Sequence, residues 1–513
     1  MIYGIGAAFI ISAFFLIIVQ RFKIPEIPTY LFAGLVTGLF LELLERRDFI
    51  GSDILDEALL QDFIFIGLGF LVFFSITRFV LDKNTTTSLD AFKASMWLSI
   101  ISFIGVFGLA SFAGFEPVES FLLGFAGAFG SSLANMNLVR EEVRENHIYG
   151  WLTEDINFFQ DIFAVLLGVG FLVFYSSSGS FEQAFLVLLM IISALGLRKI
   201  LNRIFVSMDF SSEVLMLLGV ASFVSITLLT ELLGLTALAG VLISGLLFID
   251  TELGFEVRER LSSIKDFFTA LSFFSIGLII QIPTFSVVLP ALALVLFVSV
   301  LRPLVLLLFL NVQGYDLRTS YLAALDSNEI SELSILTTIL LLPLISSEVF
   351  AIVVLSFAVS MVVSSLTGDI GMKVFERWMA GYEFDPEKGS VPREISNHVI
   401  FAGYDDKTRA LADLVNKDRI VAVDYSLDRV ETAERDGVYH VLGDMFSTNT
   451  WRHINYRDAA VIVSGVSDQE LINKIEALDT GASIVSLDSS NSGEIDDELR
   501  SMLKDALKEK EEN

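Results

Sequence analysis

The amino-acid sequence predicts a polytopic α-helical membrane protein with a smaller α/β domain at its C-terminal end. Hydrophobic residues make up 54% of the 513-residue chain. Apolar stretches of about 18 residues or more, long enough to cross a bilayer, recur from the N-terminus to roughly residue 375. Beyond that point strand and helix patterns alternate, as in an α/β sheet. We therefore expect a transmembrane domain (1–380), a linker (381–397), a soluble domain (398–490) and a charged tail (491–513).

The apolar windows predict about 13 transmembrane helices. The first window, residues 1–19, lacks the basic start and the cleavage site of a signal peptide, so we interpret it as the first span. Lys and Arg concentrate in loops after odd-numbered spans, whereas loops after even-numbered spans carry only Arg46 and Arg47. The positive-inside rule then places the N-terminus outside the plasma membrane and the soluble domain in the cytoplasm. The windows are centred near residues 10, 35, 70, 102, 128, 164, 190, 221, 242, 273, 298, 331 and 360.

Two of these windows are interrupted by small or polar residues at comparable places. One contains Gly130-Ser131-Ser132 and the other Asp326-Ser327-Asn328-Glu329. The two windows are an odd number of spans apart, so they cross the membrane in opposite directions. This pattern predicts inverted repeats with crossed broken helices, whose free carbonyls and half-helix ends can bind a cation. The alternative is that the small residues only allow close helix packing.

An acidic residue, Asp161, lies within the apolar stretch INFFQDIFAVLLGVGFLVFYS, directly after Gln160. An ionisable side chain at this depth costs roughly 2.5 to 3.5 kcal/mol even on a mild insertion scale, so it indicates an ion or proton site. The alternative is a structural ion pair, for which Arg302 in LFVSVLRPLVLLLFL is the candidate. One carboxylate holds one monovalent cation or one proton, so exchange at Asp161 would carry no net charge.

Five segments resemble the motifs of the second cation/proton antiporter family, which includes the Kef-type K⁺/H⁺ antiporters and their sodium-exchanging relatives. The resemblance implies a homodimer in the lipid bilayer that exchanges K⁺ or Na⁺ for H⁺ by an elevator motion, with no required cofactor and no enzymatic activity. The alternative function is a ligand-gated, channel-like K⁺ efflux system. The segments are FGSSLANMNLVRE, similar to SSTAIAMQ; NFFQDIFAVLL, to FQDIAAIPLL; TALAGVLISGLLFID, to MALGAFLAGVLLA; ALSFFSIGLII, to LFFISVGMSL; and SNEISELSIL, to AQISEFSLIL.

The resemblance also implies roles for individual residues. Gln160-Asp161 matches the electroneutral members, with Asp161 as the shared carrier of cation and proton. Glu332 aligns with the family's crossover glutamate, and Arg302 is expected to neutralise acids of the core, Glu332 in particular.

Further oxygen ligands for the cation are expected from Ser131, Ser132 and Ser331. Asp326 and Glu329 do not align with acids of the family, and we expect them at the mouth of the cavity.

The soluble domain reads as a Rossmann-like sheet. The order GYxxxT, VAVD, GVYHVLGD and AAVIVSG resembles the regulator-of-K⁺-conductance domain, also called TrkA-N. Its phosphate loop is degraded, since Asp405 and Thr408 stand where G-x-G-x-x-G has its second and third glycines. Gly403, Asp424 and Asp444 remain as candidate nucleotide-binding residues.

Three alternatives remain for this domain: no ligand and a dimerising role, an AMP-like mononucleotide, or a cation. NAD(H) is disfavoured, because Asp405 adds bulk and negative charge where a pyrophosphate would lie. The net charge of −28 excludes nucleic-acid partners, and the lack of cysteine excludes disulfides and Cys-based metal sites.

Overall fold

In the computed structural model the chain forms two compact units. One comprises residues 1–137, 152–306 and 324–371, and the other residues 138–151, 307–323 and 372–513. Within these, the residues whose structure is described are 25–45, 57–77, 86–131, 148–176, 181–206, 210–280, 283–315, 317–378, 388–389, 391–392, 395–412, 415–424, 426–443, 445, 448–465, 469–478 and 480–486.

Helices account for nearly all of the described residues before residue 379. They are α1 (Glu26–Glu45), α2 (Glu57–Thr77), α3 (Thr86–Ala113), α4 (Pro117–Ala128), α5 (Ile148–Ser176), α6 (Phe181–Val206), α7 (Ser212–Leu232), α8 (Ala237–Leu246), α9 (Glu252–Ile279), α10 (Phe285–Leu296), α11 (Arg302–Val312), α12 (Leu317–Leu325), α13 (Glu332–Leu340) and α14 (Ser347–Trp378). A π-helical turn, Phe297–Leu301, joins α10 to α11.

The helix positions agree with the hydropathy windows. Among the described residues, eight helices are long and apolar enough to cross a membrane, or nine when the bent pair Glu252–Ser262 and Ile264–Ile279 is counted as one span. Each predicted window from residue 35 onward coincides with a helix or a pair of short helices. The window near residue 10 lies outside the described residues, so the total of 13 remains a prediction.

Close helix packing in the membrane unit depends on glycine. A Cβ on Gly34 of α1 would lie 2.1 Å from the Phe274 carbonyl oxygen of α9, and one on Gly277 would lie 2.2 Å from the Leu31 carbonyl oxygen. The two main chains therefore touch, and any larger side chain would force α1 and α9 apart. Small residues at the contact are the usual way in which helices gain van der Waals packing within lipid.

Both interrupted windows contain a helix break. Helix α4 begins with Pro117 at its first turn and ends before Phe129, whose main chain is extended (φ −114, ψ 137). Helix α13 begins after Ser331, whose hydroxyl accepts the Leu333 N–H at 3.2 Å. The two breaks touch, because the Ser331 N–H donates to the Phe129 carbonyl at 3.0 Å. This contact supports the predicted broken helices.

Side chains of α14 satisfy the break before α13. Ser360 Oγ accepts the Ile330 N–H at 3.2 Å, and Asn328 Nδ2 donates to Thr367 Oγ1 at 2.7 Å. Irregular backbone at membrane depth is tolerated only where protein groups replace the missing hydrogen bonds.

The soluble domain contains a six-stranded sheet in the order β1-β4-β3-β2-β5-β6, in which β1 pairs antiparallel with β4 and the other pairs are parallel. This is a Rossmann order, with the topological switch point between β2 and β5. Strand β1 falls within the predicted linker. The elements are β1 (Lys388–Gly389), β2 (His398–Ala402), α15 (Asp406–Ala412), β3 (Ile420–Asp424), α16 (Leu427–Arg435), β4 (Tyr439–Leu442), α17 (Thr448–His453), β5 (Ala459–Ser464), α18 (Gln469–Glu476) and β6 (Ser483–Ser486).

Both faces of this sheet are covered. Val399 and Phe401 of β2 pack into one apolar cluster, while Ile400 and Ala402 pack into the other. Successive side chains of a strand point to opposite faces, so a strand buried on both sides reads as a continuous apolar run such as HVIFA.

Candidate functional site

One face of α5 is lined with buried polar side chains. Thr153, Asn157, Gln160 and Asp161 are all less than 9% exposed, and Gln160 is fully buried. Their spacing of four, three and one residues places them along one side of the helix. The candidate carrier Asp161 is thus enclosed by protein, as predicted for an ionisable group at this depth.

Asp161 accepts a hydrogen bond from a neutral group. The hydroxyl of Ser75 on α2 donates to Asp161 Oδ2. We did not identify Ser75 from the sequence. A single serine near the end of the apolar run FIFIGLGFLVFFSIT was the available signal, but single serines of this kind are common in membrane helices. A hydroxyl oxygen beside the carboxylate is a second candidate ligand for a monovalent cation.

Gln160 is held from two sides. Its Oε1 accepts the Gly130 N–H at 2.8 Å and Arg302 Nη2 at 2.5 Å. Gly130 belongs to the break after α4, so these bonds fasten the carrier helix to one of the two breaks. A Cβ on Gly130 would lie 2.6 Å from Arg302 Nη2, so the close approach requires glycine.

Arg302 is fully buried and bridges two structural elements. Its Nη1 donates to the main-chain carbonyl of Glu329 at 2.8 Å, while Nη2 holds Gln160. The π-helical turn Phe297–Leu301 precedes it, and the Arg302 N–H bonds back to the Phe297 carbonyl. Such turns change the direction in which the next side chain points and often occur at functional sites.

Two acids near the second break are buried to a similar degree. Glu332, on the first turn of α13, is 3% exposed and Glu329 is 1% exposed. The burial of Glu329 contradicts its expected place at the cavity mouth. The sequence motif misled us because it carries no acid at that position, whereas the folded break turns the Glu329 side chain inward.

The predicted serine ligands have different surroundings. Ser331 is fully buried and uses its hydroxyl oxygen to cap α13, which leaves its hydroxyl proton and a second lone pair for other contacts. Ser131 is buried next to Gly130. Ser132 lies outside the described residues, so its role stays a prediction.

In the soluble domain the first βα turn is closed by its own side chains. Asp405 Oδ1 accepts the N–H groups of Lys407 and Thr408 at 3.1 and 2.9 Å. In return, Thr408 Oγ1 accepts the Asp405 N–H at 2.8 Å. These N–H groups are the donors that would bind a pyrophosphate in a dinucleotide-binding turn. A pyrophosphate therefore does not fit the residues present, because a carboxylate already occupies its position.

The switch-point crevice is also narrow at its base. Gly403 adopts φ +92, and its carbonyl oxygen lies 3.0 Å from the position of a Cβ on Gly465. The same Cβ would lie 2.8 Å from the Thr408 methyl carbon. The main chain and the Thr408 methyl group thus leave no room for a side chain at Gly465.

Asp424, predicted to bind ribose, is fully buried at the end of β3. Its two oxygens accept the N–H groups of Tyr404 and Ser426, each at 2.8 Å, and Arg429 lies 3.5 Å away. Burial raises the pKa of the Asp424 carboxyl above its ordinary value. Its acceptor sites are thus largely used within the domain. Asp444 lies outside the described residues.

The fold and the site together define a class of protein. A membrane unit in which two helix breaks touch beside a buried acid and a buried arginine is typical of secondary transporters. The chain belongs to the sodium/hydrogen exchanger family: residues 9–371 match the family described as "Sodium/hydrogen exchanger, transmembrane". Residues 399–480 match the TrkA-N domain. The match confirms the predicted family and places the chain among multi-pass transporters.

Three known proteins illustrate the relationship. K(+) efflux antiporter 4 of Arabidopsis thaliana is 25% identical over 67% of this chain, which spans 59% of that relative's length. The putative K(+) efflux antiporter KefB of Alkalimonas amylolytica is 22% identical over 89% of this chain and 70% of the relative. The solved structure of the sodium proton antiporter MjNhaP1 from Methanocaldococcus jannaschii is 18% identical, with a TM-score of 0.50 over 74% of this chain and 98% of the other, and supports the fold.

Proposed function

We propose that the chain exchanges a monovalent cation, K⁺ or Na⁺, for H⁺, and that Asp161 carries each of them in turn. One observation carries the proposal: Asp161 is buried beside a residue, Gln160, that is bonded to a helix break and to Arg302. A buried carboxylate with the Ser75 hydroxyl beside it offers the hard oxygen ligands that a monovalent cation requires.

The surroundings of Asp161 favour electroneutral exchange. Gln160 is neutral, and its oxygen is already bound to Gly130 and Arg302. Asp161 then holds either one cation or one proton, so each cycle moves no net charge. Desolvation weakens the ionised form of a carboxylate, which lets protons compete with the cation at moderate concentrations.

We extend this proposal to the oligomeric state, the transport motion, the orientation and the regulation of the protein. The protein works as a homodimer by an elevator motion, with the N-terminus outside and the soluble domain in the cytoplasm. The soluble domain regulates the exchange rate without NAD(H), because Asp405 occupies the pyrophosphate position. The names of the relatives support both cations, since two are K⁺ efflux antiporters and the solved neighbour is a sodium proton antiporter.

Exchange in proteoliposomes tests the proposal. A pH-sensitive dye inside the vesicles should respond to added Na⁺, K⁺, Rb⁺ or Li⁺, and the rate should not depend on an imposed membrane potential. Asp161→Asn should abolish the response in a protein that remains folded. The matched control is Glu154→Gln, which removes an exposed acid from the same helix and should retain exchange. Exchange by Asp161→Asn, or cation flux that follows the membrane potential as in a channel, would refute the proposal.

A further inference from the structure

Glu329 is a buried carboxylate that the proposed exchange at Asp161 does not use. It lies in the break just before α13, and its side chain is 1% exposed. Neither of its carboxylate oxygens has a hydrogen-bond partner among the described residues. The Ser364 hydroxyl of α14 approaches it, but outside hydrogen-bond geometry. Buried polar groups are almost always hydrogen-bonded, so a fully buried carboxylate without a donor requires an explanation.

If Glu329 is ionised, negative charges outnumber positive charges in its surroundings. Asp326 and Glu332 both interact with it electrostatically and are of the same sign. Arg302 is the basic group that faces it, and its Nη1 and Nη2 already donate to the Glu329 main-chain carbonyl and to Gln160. Glu329 thus interacts with two like charges and with one opposite charge, and the described hydrogen bonds of that guanidinium go to neutral oxygens.

Desolvation makes the ionised form still less favourable. Moving a carboxylate out of water costs several kcal/mol unless hydrogen bonds and an opposite charge compensate. At Glu329 the hydrogen bonds are lacking among the described residues, and the two like charges of Asp326 and Glu332 oppose the one opposite charge of Arg302. A proton on one carboxylate oxygen removes the charge and leaves a neutral acid that the surroundings accommodate.

We propose that Glu329 is a second proton-binding site of the membrane unit, separate from Asp161, and that it holds its proton while Arg302 is bound to Gln160. Binding forms one O–H bond on the carboxylate; the proton comes from a hydronium ion of the aqueous phase, which becomes water, and release returns it to water. Loss of that proton leaves a charged oxygen that competes with Gln160 Oε1 for Arg302. The protonation of Glu329 thus determines how firmly Gln160, the neighbour of the carrier, is held.

Infrared spectroscopy of the full-length protein tests the proton site directly. A neutral carboxylic acid has a C=O stretch that is resolved from that of a carboxylate and shifts in D₂O. The wild-type protein at neutral pH should show this band, and Glu329→Gln should lose it. Asp326→Asn and Glu332→Gln should retain it. Asp161→Asn should also retain the band, because this variant keeps Glu329. The measurement on Asp161→Asn remains informative even when the Glu329→Gln protein does not fold. An unchanged band in Glu329→Gln, or no band in Asp161→Asn, would overturn the proposal.

The link to transport, which rests on the proposed function, has its own measurement. The logarithm of the cation/proton exchange rate is plotted against pH. The slope of this plot should decrease by about one in Glu329→Gln, because that variant lacks one of two coupled proton-binding sites. Asp326→Asn should keep the wild-type slope. An unchanged slope in Glu329→Gln would refute the link to transport. Exchange by Asp161→Asn would refute the proposed function while leaving the infrared assignment of Glu329 intact, so the two failures are distinguishable.

Discussion

Acids in the two units of the molecule have opposite surroundings. In the soluble domain, Asp405 and Asp424 each accept main-chain N–H groups from neighbouring residues. In the membrane unit, Glu329 has no donor for its carboxylate among the described residues, and Asp161 accepts from the hydroxyl of Ser75. A carboxylate bonded to the main chain fixes a loop, whereas we propose that the carboxylate of Glu329, which lacks such a donor among the described residues, gains and loses a proton.

Among the substitutions that test this difference between the two units, Arg302→Leu should have the largest effect on stability and exchange. Arg302→Leu removes the donor to Gln160 and to the Glu329 carbonyl, and the loss of two buried charge-assisted bonds costs on the order of 3 kcal/mol. The melting temperature in detergent should fall. Exchange should drop by about tenfold or more if about 1.4 kcal/mol of this interaction energy is lost from the rate-limiting step. Arg302→Lys should be intermediate, because one ammonium does not reproduce the guanidinium fork.

A matched control for this variant is Arg260→Leu. Arg260 lies on the surface, 3.7 Å from Glu256, and exposed ion pairs contribute little to stability. Equal melting temperatures for the Arg302→Leu protein and the wild type would show that the bonds around Gln160 do not stabilise the membrane unit.

A smaller effect is expected at Gly130. Gly130→Ala places a methyl group 2.6 Å from Arg302 Nη2, so Arg302 or the main chain has to move. Overpacking of this kind costs about 1 to 3 kcal/mol. Thermal unfolding should show the loss, and cation affinity should change with it because Gln160 shifts. Gly108→Ala is the control, since a Cβ there meets nothing within 4 Å; a similar fall in both variants would mean that the contact with Arg302 is not the cause.

The next effect concerns the closed turn of the soluble domain. Asp405→Ala leaves the N–H groups of Lys407 and Thr408 without their acceptor, and the loss of such a cap costs about 1 kcal/mol. Hydrogen exchange measured by mass spectrometry should increase in residues 405–412 of the full-length protein. Asp406→Ala removes an exposed neighbouring acid and should leave the hydrogen exchange of residues 405–412 unchanged. Micromolar binding of NADH to the wild-type protein would contradict the closed turn.

The smallest effect is expected at the surface pair Arg409 and Asp436. Arg409 Nε and Nη2 each lie 2.7 Å from an Asp436 oxygen. The hydrogen bond from Arg409 holds the pKa of the Asp436 carboxyl below its ordinary value. The stabilisation is present above the unfolded-state pKa, about 3.9, and is lost as the pH falls through the lower folded value.

Arg409→Gln should therefore lower the stability by a constant amount at pH values well above about 3.9, and should reduce the further loss of stability as the pH falls below that value. Hydrogen exchange measures this change in the peptides that cover residues 404–412 and 427–438. It is followed from pH 6 downward at matched intrinsic exchange rates. An identical pH dependence in the variant and the wild type would show that the pair contributes nothing measurable.

The sequence predicted the elements better than it predicted the site. The strands HVIFA and IVAVD were placed correctly, because continuous apolar runs bounded by turn residues are distinctive. The helix breaks were found because small and polar residues interrupt apolar windows. In contrast, Ser75 is separated from Asp161 along the sequence by 86 residues, and no local pattern connects them.

The direction in which each side chain points could not be predicted from the sequence, and this further limited the prediction of the site. Glu329 and Asp326 look equivalent in the sequence, but Glu329 is buried while Asp326 is partly exposed, and only the path of the chain through the break separates them. That Asp405 interferes with a pyrophosphate stays a prediction. That its carboxylate would take over the same main-chain donors became visible only from the hydrogen bonds of the turn.

The hydrogen bond from Ser331 to Phe129 ties the end of one half-helix to the start of another. Pulling the two ends apart within the membrane would leave a buried N–H and a buried C=O unpaired, at about 1 to 3 kcal/mol for each group. The two breaks are therefore expected to stay together as a single rigid body. In the proposed exchange, a cation bound beside them would keep its ligand geometry, and any relative movement of helices would be expected along a surface outside this pair of ends.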